Sequence, residues 1–315
     1  MPLQFAVLGS GSSGNAALLS AGSSSVLIDA GFGPRVLADR LRGVGRGWDT
    51  IAAAVLTHTH SDHVDDATLR AFARHRVAFY AHTSHLDKLA GRPGFEALVA
   101  RGLARPYGEF PFLTPNGARI EPVPLSHDGG PTFGFRVEVR PDRRERPIGV
   151  GYAADTGVWS ELLADAFAEV DVLAVEFNHD VDLETTSGRP WPLIERCLGN
   201  HGHLSNEQGA AFVAEVLARS VARPPRHVVL LHLSRQCNRP QLAIDAAHAA
   251  LRDVLGGRAK RLAVHAAGQF EPYPSLSIEA GVGRRAVHRG VAAVTHGPAR
   301  SRRVDREPLL NLLAG

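Results

Sequence analysis

The segment "LTHTHSDHVDD" limits the fold and the chemistry of this chain more than any other stretch. It places His58, His60, Asp62 and His63 in the pattern H-x-H-x-D-H, directly after the apolar run "AAAVL", which is typical of a buried strand. Imidazoles two positions apart in a loop can turn toward one cation, and the Asp-His pair that follows can turn toward a second. A packing role is unusual for such a cluster, because burial leaves ring nitrogens without partners. The pattern therefore predicts a metal-binding loop at the end of a strand.

Three later candidates for metal binding also lie at the ends of apolar segments. His127 ends "EPVPLSH", Asp155 ends "IGVGYAAD", and His232 lies in "HVVLLHL". Alone, each would more often be a hydrogen-bonded histidine or a loop carboxylate, but together they complete a two-metal site. We expect Asp155 to bridge two ligand groups: His58, His60 and His127 for the first metal, and Asp62, His63 and His232 for the second. Nitrogen and oxygen ligands suit Zn²⁺ or Mn²⁺, and the sequence does not choose between these ions.

The chain begins with a second motif, "GSGSSGN", whose glycines Gly9, Gly11 and Gly14 match the dinucleotide-binding pattern G-x-G-x-x-G. Asp29 lies twenty residues after Gly9, where such a fold holds an acidic residue. That fold also needs a helix of about three turns between the last glycine and the next strand. The segment before Val26 is too short for this helix and fits a strand, a tight turn and a partner strand. We therefore expect a β-hairpin here, and no nicotinamide or flavin cofactor.

Apolar segments rich in β-branched residues alternate with amphipathic segments along the chain, from "QFAVLG" near the N-terminus to "RLAVHAA" near residue 261. This alternation predicts an α/β fold in a single domain over residues 1–275. Helices are expected near residues 34–43, 64–75, 157–168, 205–219 and 239–255. The fourth has the clearest start, because Ser205 and Gln208 form a capping box.

Charge is distributed unevenly between the body of the chain and its C-terminal end. The net charge is +3 over 315 residues, but residues 281–315 carry seven arginines against two acids. Residues 1–280 therefore have a net charge of −2. We expect residues 276–315 to form an Arg-rich, disordered tail, with a nucleic-acid-binding arm as the alternative.

The composition argues for a cytoplasmic protein. No stretch reaches the roughly 18 apolar residues of a membrane span, and the first residues lack the basic region and cleavage site of a signal peptide. Only two cysteines occur, Cys197 and Cys237, and we expect both to serve packing in a reducing compartment. No membrane partner is expected, and no pattern in the sequence indicates an oligomeric state.

The order of these motifs gives the chain a resemblance to metallo-β-lactamase-fold hydrolases over about residues 3–270. The resemblance includes the H-x-H-x-D-H loop, the later His, Asp and His at strand ends, and Asp29 in "LIDAG". A narrower resemblance, to the YycJ/WalJ family, rests on the segments "GSGSSGN", "LSHD", "ADTG", "EFNHD", "RPWPLIERCLGNHGHLSNEQ" and "LHLSRQCNRP". Thr59 stands where a glutamate is frequent in the superfamily's loop, and the Arg-rich tail lies outside the resemblance.

The resemblance implies a particular fold and activity. The fold is an αββα sandwich, in which two mixed sheets are flanked by helices, and the cofactors are two divalent metal ions. The activity is that of a phosphodiesterase or DNA exonuclease, running 5′ to 3′ on double-stranded DNA. We therefore expect a phosphodiester hydrolase that uses a metal-activated hydroxide, with DNA as its substrate. The alternatives are a hydrolase of a small ester, lactone or thioester, an RNA or cyclic-nucleotide phosphodiesterase, and a non-catalytic protein that binds nucleic acid through its tail.

Individual roles follow from these expectations. We expect Asp62, Asp155 and His179 to act in catalysis, His179 by protonating a leaving oxygen or by binding phosphate, with a structural turn as the alternative. Asp29 is expected outside the ligand set, where it orients a ligand histidine or a loop amide. Substrate contacts are expected from Ser12, Asn15, Asn178 and His203. Because His203 lies near a helix start, a capping role competes with substrate contact there.

Overall fold

The computed structural model describes residues 2–140, 145–255 and 262–280. The Arg-rich segment 281–315 lies outside the described residues, so the expectation of a disordered tail there stays a prediction. Within the described part, no helix is both long enough and apolar enough to cross a membrane.

Two seven-stranded sheets form the centre of the fold. The first sheet contains β1 (Leu3–Gly9), β2 (Ala16–Ala21), β3 (Ser24–Ile28), β4 (Ile51–Val55), β5 (Ala78–His82), β6 (Ala104–Tyr107) and β14 (Leu276–Ile278), in the order β14-β1-β2-β3-β4-β5-β6. The second sheet contains β7 (Phe112–Leu113), β8 (Arg119–Leu125), β9 (Thr132–Val139), β10 (Ile148–Ala153), β11 (Val172–Glu176), β12 (His227–Leu231) and β13 (Ala263–Ala266), in the order β13-β12-β11-β10-β9-β8-β7.

The two sheets pack face to face through one hydrophobic core. Phe5 and Val26 of the first sheet share this core with Phe135, Tyr152 and Val229 of the second, and all five side chains are nearly excluded from solvent. Complete burial of one such apolar side chain contributes roughly 1.5–3 kcal/mol. The layer between the sheets therefore fixes their relative position, on which the site described below depends.

Helices cover the outer faces of both sheets. They are α1 (Pro34–Gly43), α2 (Asp66–His75), α3 (Leu86–Leu89), α4 (Pro93–Ala100), α5 (Glu161–Phe167), α6 (Val181–Thr185), α7 (Trp191–Leu198), α8 (Asn206–Arg219) and α9 (Pro240–Leu255). Leu37 of α1 and Phe72 of α2 pack against the first sheet. Phe167 of α5, Phe212 of α8 and Ala247 of α9 pack against the second. This arrangement confirms the expected αββα sandwich.

All five expected helices are present, but two begin later than expected. Helix α2 starts after Asp65, whose side chain accepts a hydrogen bond from the Thr68 amide, and α5 starts after Ser160, which caps it in the same way. Such caps satisfy free amides at a helix start and so fix where it begins. The sequence did not predict the short elements α3, α4, α6, α7, β6, β7 and β14, because they are too short to show a periodic pattern. Strand β14 pairs with β1, so residues 276–278 belong to the first sheet, beyond the boundary expected at residue 275.

The glycine motif leads into a hairpin, as expected. Strands β2 and β3 pair antiparallel, with Leu18 opposite Leu27, and Gly22 in the turn has a φ of 59°. No helix lies between β1 and β3 in this part of the chain. The dinucleotide-binding interpretation of the motif is therefore excluded.

Parallel strands bring the predicted site residues to one edge of each sheet. Strands β3 to β6 are parallel neighbours in the first sheet, and β10 to β13 are parallel neighbours in the second. The loops after β3, β4, β10, β11 and β12 carry most of the polar side chains predicted from the sequence. Ligands of α/β folds bind beyond the carboxyl ends of parallel strands, and these loops occupy that position.

Candidate metal centre

The first group of candidate ligands consists of His58, His60 and His127. One ring nitrogen of each lies within 4.8 Å of the others. His58 and His127 are buried, whereas His60 is partly exposed. The Nδ1 atom of His127 lies 3.0 Å from the carbonyl oxygen of Gly202, which can only accept a hydrogen bond, so Nε2 is left free as a ligand atom. Burial and the neighbouring histidines lower the pKa of His58 well below its ordinary value, which keeps its ring in the neutral form that binds metals.

The second group consists of Asp62, His63, Asp155 and His232, and Asp155 is central to it. The Oδ2 atom of Asp155 lies 2.5 Å from Nε2 of His63, and its Oδ1 atom lies 3.2 Å from Nε2 of His232. The same carboxylate lies 3.9 Å from Nε2 of His58 in the first group. Asp155 therefore lies between the two groups, at the position expected for a bridging ligand.

Several buried polar atoms at this centre have no hydrogen-bond partner among the described residues. They are both carboxylate oxygens of Asp155 and the Nε2 atoms of His58 and His232. Burial of such atoms without partners is costly, and a cation between them would remove that cost. Imidazole nitrogens and carboxylate oxygens are ligands of divalent metals such as zinc. The two clusters are therefore consistent with a dinuclear divalent metal site.

The carboxylates around the second group favour the protonated form of its histidines. Burial opposes protonation of His63, but the charges of Asp29 and Asp155 raise its pKa well above the ordinary value. Burial likewise opposes protonation of His232, but the charge of Asp155 and the nearby carboxylates of Asp62 and Glu176 raise its pKa to about 10. A metal ion at these nitrogens would replace those protons, because only the neutral imidazole binds a metal.

Asp29 and Thr57 fix the orientation of His63 through its Nδ1 atom. The Oδ2 atom of Asp29 lies 2.8 Å from Nδ1 of His63, and its Oδ1 atom accepts a hydrogen bond of 2.9 Å from the Thr57 amide. The buried carboxylate keeps the His63 proton on Nδ1, which directs Nε2 toward Asp155. Burial raises the pKa of Asp29, although the charge of His63 acts in the opposite direction. Thr57 was not predicted from the sequence, since a threonine in a loop carries no distinctive signal.

Glu176 is a second residue that the sequence analysis missed. It is fully buried at the end of β11, with Oε1 2.7 Å from Nδ1 of His203 and 3.2 Å from Nδ1 of His232. Its Oε2 atom accepts a hydrogen bond of 2.8 Å from the Thr156 amide. Burial alone would raise the pKa of Glu176, but the charge of His203 and the contacts with the His203 and His232 rings lower it to about 2. The available signal was an acid that ends the buried strand "VLAVE", since a buried carboxylate needs partners.

The backbone is unusual at three residues of the centre. Asp29, Asp155 and His232 have φ values of 59°, 58° and 57°, in the left-handed region that residues with a Cβ rarely adopt. This conformation costs about 1 kcal/mol per residue. Strained residues of this kind cluster at functional sites, where the surrounding fold holds them in place. All three residues lie just after a strand of a parallel pair, where the left-handed turn brings each side chain into the centre.

Two glycines allow the loops to approach the ligands closely. A Cβ at Gly129 would lie 2.7 Å from Nε2 of His60, and a Cβ at Gly31 would lie 1.6 Å from the carbonyl oxygen of Asp62. Both distances are too short for any side chain. Backbone at Gly129 and Gly31 therefore packs directly against the H-x-H-x-D-H loop.

A cavity of about 490 Å³ opens over both ligand groups. Of the residues expected to contact substrate, Ser12, Asn178 and His203 line it. Further lining residues that the sequence did not predict include Asp128, Arg189, Arg196 and Gln236. Arg196 pairs with Asp128 at the rim, and Cys197 lies deeper, where burial raises the pKa of its thiol to about 12. The cavity thus combines candidate carboxylate and imidazole ligands with arginine side chains.

Two predicted residues, Asn15 and His179, do not face this cavity. Asn15 is fully buried, and its side-chain amide bonds with Gly11 and with the Oδ2 atom of Asp62 at 3.3 Å. It therefore orients the metal loop and has no face left for a substrate, contrary to the expected contact. His179 is only 1% exposed and lies behind the cavity wall, with Nδ1 3.8 Å from the sulfur of Cys197. Its backbone joins the loop before α8, and this pairing turns the side chain inward instead of toward the rim.

Comparison with known proteins assigns the chain to a family. Residues 24–233 match the family described as the beta-lactamase superfamily domain, and the chain belongs to this family. Its fold and ligand clusters are those of a metal-dependent hydrolase. Among curated proteins it is similar to the exodeoxyribonuclease WalJ of Streptococcus pneumoniae, at 28% identity over 250 residues, which cover 76% of this chain and 85% of WalJ. It is also similar to the exodeoxyribonuclease YycJ of Bacillus anthracis, at 25% identity over 248 residues, which cover 77% of this chain and 87% of YycJ.

The expected resemblance to the YycJ/WalJ family is thereby confirmed. Among solved structures, the metallo-beta-lactamase fold protein YhfI from Bacillus subtilis aligns with a TM-score of 0.60. The alignment covers 87% of this chain and 99% of YhfI at 17% sequence identity. Identity this low supports the assignment of the fold alone.

Proposed function

We propose that this protein is a metal-dependent phosphodiesterase that degrades DNA as an exonuclease. The observation that carries the proposal is the position of Asp155 between two ligand groups at the base of a cavity with an arginine-bearing rim. The similarity to two proteins named as exodeoxyribonucleases supports DNA as the substrate. The 5′ to 3′ polarity is part of the proposal and rests on the family resemblance.

The proposed ligand assignment follows the two groups. His58, His60 and His127 would hold the first ion, Asp62, His63 and His232 would hold the second, and Asp155 would be shared between them. Two divalent ions there would supply an activated water molecule and positive charge for the phosphoryl oxygens. Either Zn²⁺ or Mn²⁺ suits this mixture of imidazole and carboxylate ligands. Asp29 and Glu176 fix the ligand histidines His63 and His232 through the nitrogen that each keeps free of metal.

Protonation of the leaving oxygen is assigned to His203 in place of His179. His203 lines the cavity, whereas His179 is buried behind it. The Nδ1 atom of His203 is held by Glu176 at 2.7 Å, so that Nε2 is the nitrogen free to act on a substrate. A leaving alkoxide needs a proton as its bond to phosphorus breaks, and a histidine fixed by a carboxylate is suited to supply it.

The arginines at the rim suit a phosphate-bearing substrate. Arg189 and Arg196 line the same cavity as the proposed ligands. A guanidinium group binds phosphate oxygens through paired hydrogen bonds. The second candidate function is hydrolysis of a small ester, lactone or thioester, which the net charge of −2 over residues 1–280 favours, since a DNA-binding surface is usually basic. RNA or a cyclic nucleotide remains an alternative substrate for the same phosphodiester chemistry.

The test is a substrate panel on protein of defined metal content. Metal is removed by chelation and restored as Mn²⁺ or Zn²⁺, and the protein is assayed with end-labelled linear DNA, RNA, cyclic nucleotides, bis(p-nitrophenyl) phosphate and lactones. We expect metal-dependent cleavage of DNA and of the aryl phosphodiester, and loss of both in a variant that combines Asp62→Ala with His63→Ala. Asp165→Asn, on the outer helix α5, serves as the control. Full activity of the double variant, or turnover of lactones alone, would overturn the proposal.

A further inference from the structure

A second cavity adjoins the one over the metal centre. Its volume is about 430 Å³, and it shares Ser12, Arg189, Ser234 and Gln236 with the first cavity. Its other lining residues are Ser13, Leu233, Arg235 and Gln269. Two arginines and three serine hydroxyls thus line it, whereas no carboxylate among the described residues does so. The charge and hydrogen-bonding groups of this cavity suit an anionic, polar ligand that continues out of the first cavity.

Arg189 is fixed at the boundary of the two cavities. Its Nη1 atom donates to both carboxylate oxygens of the buried Glu184 at 3.1 Å, and its Nε atom donates to Gln236 at 3.0 Å. Within the described part of the chain, the Nη2 atom has no hydrogen-bond partner. A guanidinium held in this way has lost its conformational freedom before a ligand arrives, which favours binding of a phosphate.

Gln269 offers a further unused donor. This residue is only 8% exposed, it lines the second cavity, and its Nε2 atom has no partner among the described residues. A buried amide donor without a partner costs free energy. The Nε2 atom is enclosed by protein, so a ligand in this cavity accepts its hydrogen bond only after the side chain turns outward.

An exposed aromatic ring lies directly after Gln269. The Phe270 side chain is 57% exposed, and the guanidinium carbon of Arg235 lies 4.6 Å from its ring centroid. Arg235 is itself part of the cavity wall, so the ring lies next to the cavity. Exposed rings beside basic grooves are the feature on which unpaired nucleic-acid bases stack, and arginine adds a cation–π contribution to such sites.

We infer that the second cavity binds an unpaired nucleotide next to the phosphodiester bond that is cleaved. Arg189 binds its phosphate, the Gln269 amide turns outward to donate a hydrogen bond to it, and its base stacks on Phe270. This inference rests on the proposed function, and it adds that the DNA strand leaves the metal centre in unpaired form on this side. A paired duplex end would present no free base face to the ring.

The test compares variants of Phe270 in the full-length, metal-loaded protein. Binding of a fluorescent single strand with hydrolysis-resistant phosphorothioate linkages is measured by anisotropy, beside a blunt duplex of the same sequence. Phe270→Leu is expected to weaken binding of the single strand by about tenfold, because stacking of one base is lost. Phe270→Trp is expected to restore binding, since it keeps an aromatic face. The matched control is Phe110→Leu, which changes another exposed phenylalanine, in the loop between β6 and β7.

Hydrolysis of bis(p-nitrophenyl) phosphate separates this inference from the proposed function. That small substrate does not extend to Phe270, so its kcat/KM should be equal in Phe270→Leu and Phe110→Leu. Equal single-strand binding by these two variants, or equal weakening of blunt-duplex binding, would overturn the inference while phosphodiesterase activity persisted. Absence of phosphodiesterase activity in the unmodified protein would overturn the proposed function, and the anisotropy result would still decide whether the second cavity binds an unpaired base.

Discussion

The Nδ1 atom of His203 lies 2.7 Å from the Oε1 atom of Glu176, a carboxylate fully buried at the end of β11. The same oxygen lies 3.2 Å from Nδ1 of His232. One carboxylate thus fixes both a proposed metal ligand and the proposed proton donor. Glu176 itself is fully buried and does not line the cavity.

Replacement of Glu176 by glutamine is expected to impair both processes. The amide cannot supply the negative charge that holds His203 and His232 in their present orientations, and loss of such a partner costs about 10–100-fold in metal affinity or activity. Metal content measured by mass spectrometry and kcat for an aryl phosphodiester should both decrease. The matched control is Asp171→Asn, which removes a buried carboxylate at the opposite end of the same strand and should leave the metal content unchanged. Wild-type metal content and kcat in Glu176→Gln would contradict this role.

The buried carboxylate of Asp171 should stabilise the fold to an extent that depends on pH. Arg146 donates hydrogen bonds of 2.9 Å and 2.7 Å to its two oxygens. Burial alone would raise the pKa of Asp171, but Arg146 and the Gly149 amide lower it below its ordinary value. The carboxylate therefore stabilises the fold above its unfolded pKa of about 3.9, and this contribution is lost as the pH falls through the folded pKa. Asp171→Asn should reduce the free energy of unfolding by about 2–3 kcal/mol at pH 7.

The difference in the free energy of unfolding between wild type and Asp171→Asn should become smaller as the pH falls below about 4. Urea unfolding of both proteins, after chelation of metal, measures this difference. A difference that stays constant down to low pH would show that the charge of Asp171 contributes nothing.

Removal of metal should lower the melting temperature. Without a cation, Asp155 and His232 keep buried polar atoms that have no hydrogen-bond partner in the described part of the chain. A ligand present at a thousand times its Kd stabilises a fold by about 4 kcal/mol, which corresponds to a shift of about 10 °C for a domain of this size. Scanning calorimetry with EDTA, and again after addition of Zn²⁺ or Mn²⁺, should show the decrease and its reversal. Asp155→Asn should lose most of this response, and Asp165→Asn should retain it; an equal response in both variants would argue against a cation at Asp155.

The two cysteines should resist thiol reagents in the folded protein. Burial raises the pKa of Cys197 to about 12 and also raises the pKa of Cys237, so little thiolate forms near neutral pH. Titration with a chromogenic disulfide at pH 8 should therefore be slow in native protein and should reach two thiols per chain in urea. Rapid labelling of the native protein would show that the wall around Cys197 opens to solvent.

Local sequence patterns predicted that the side chains of the H-x-H-x-D-H loop cluster, because the motif holds them within a few residues of one another. His127, Asp155 and His232 were also accessible to prediction, since each follows a strand and strand ends meet at one edge of a sheet. The positions of Glu176 and Arg189 were not accessible, because His203, which contacts Glu176, and Gln236, which contacts Arg189, lie elsewhere in the chain and only the fold brings them near. The role of Asn15 was predicted wrongly, since a buried amide and an exposed one have the same sequence signature.

The three left-handed residues Asp29, Asp155 and His232 have a consequence for how sequences of this fold diverge. Glycine at these positions would relieve backbone strain of about 1 kcal/mol each, while removing a side chain from the centre. The summed strain is a sizeable part of the roughly 5–15 kcal/mol by which a folded domain is more stable than its unfolded state. A related chain released from catalysis should therefore drift toward glycine at these positions, where side-chain identity would distinguish active members from inactive ones.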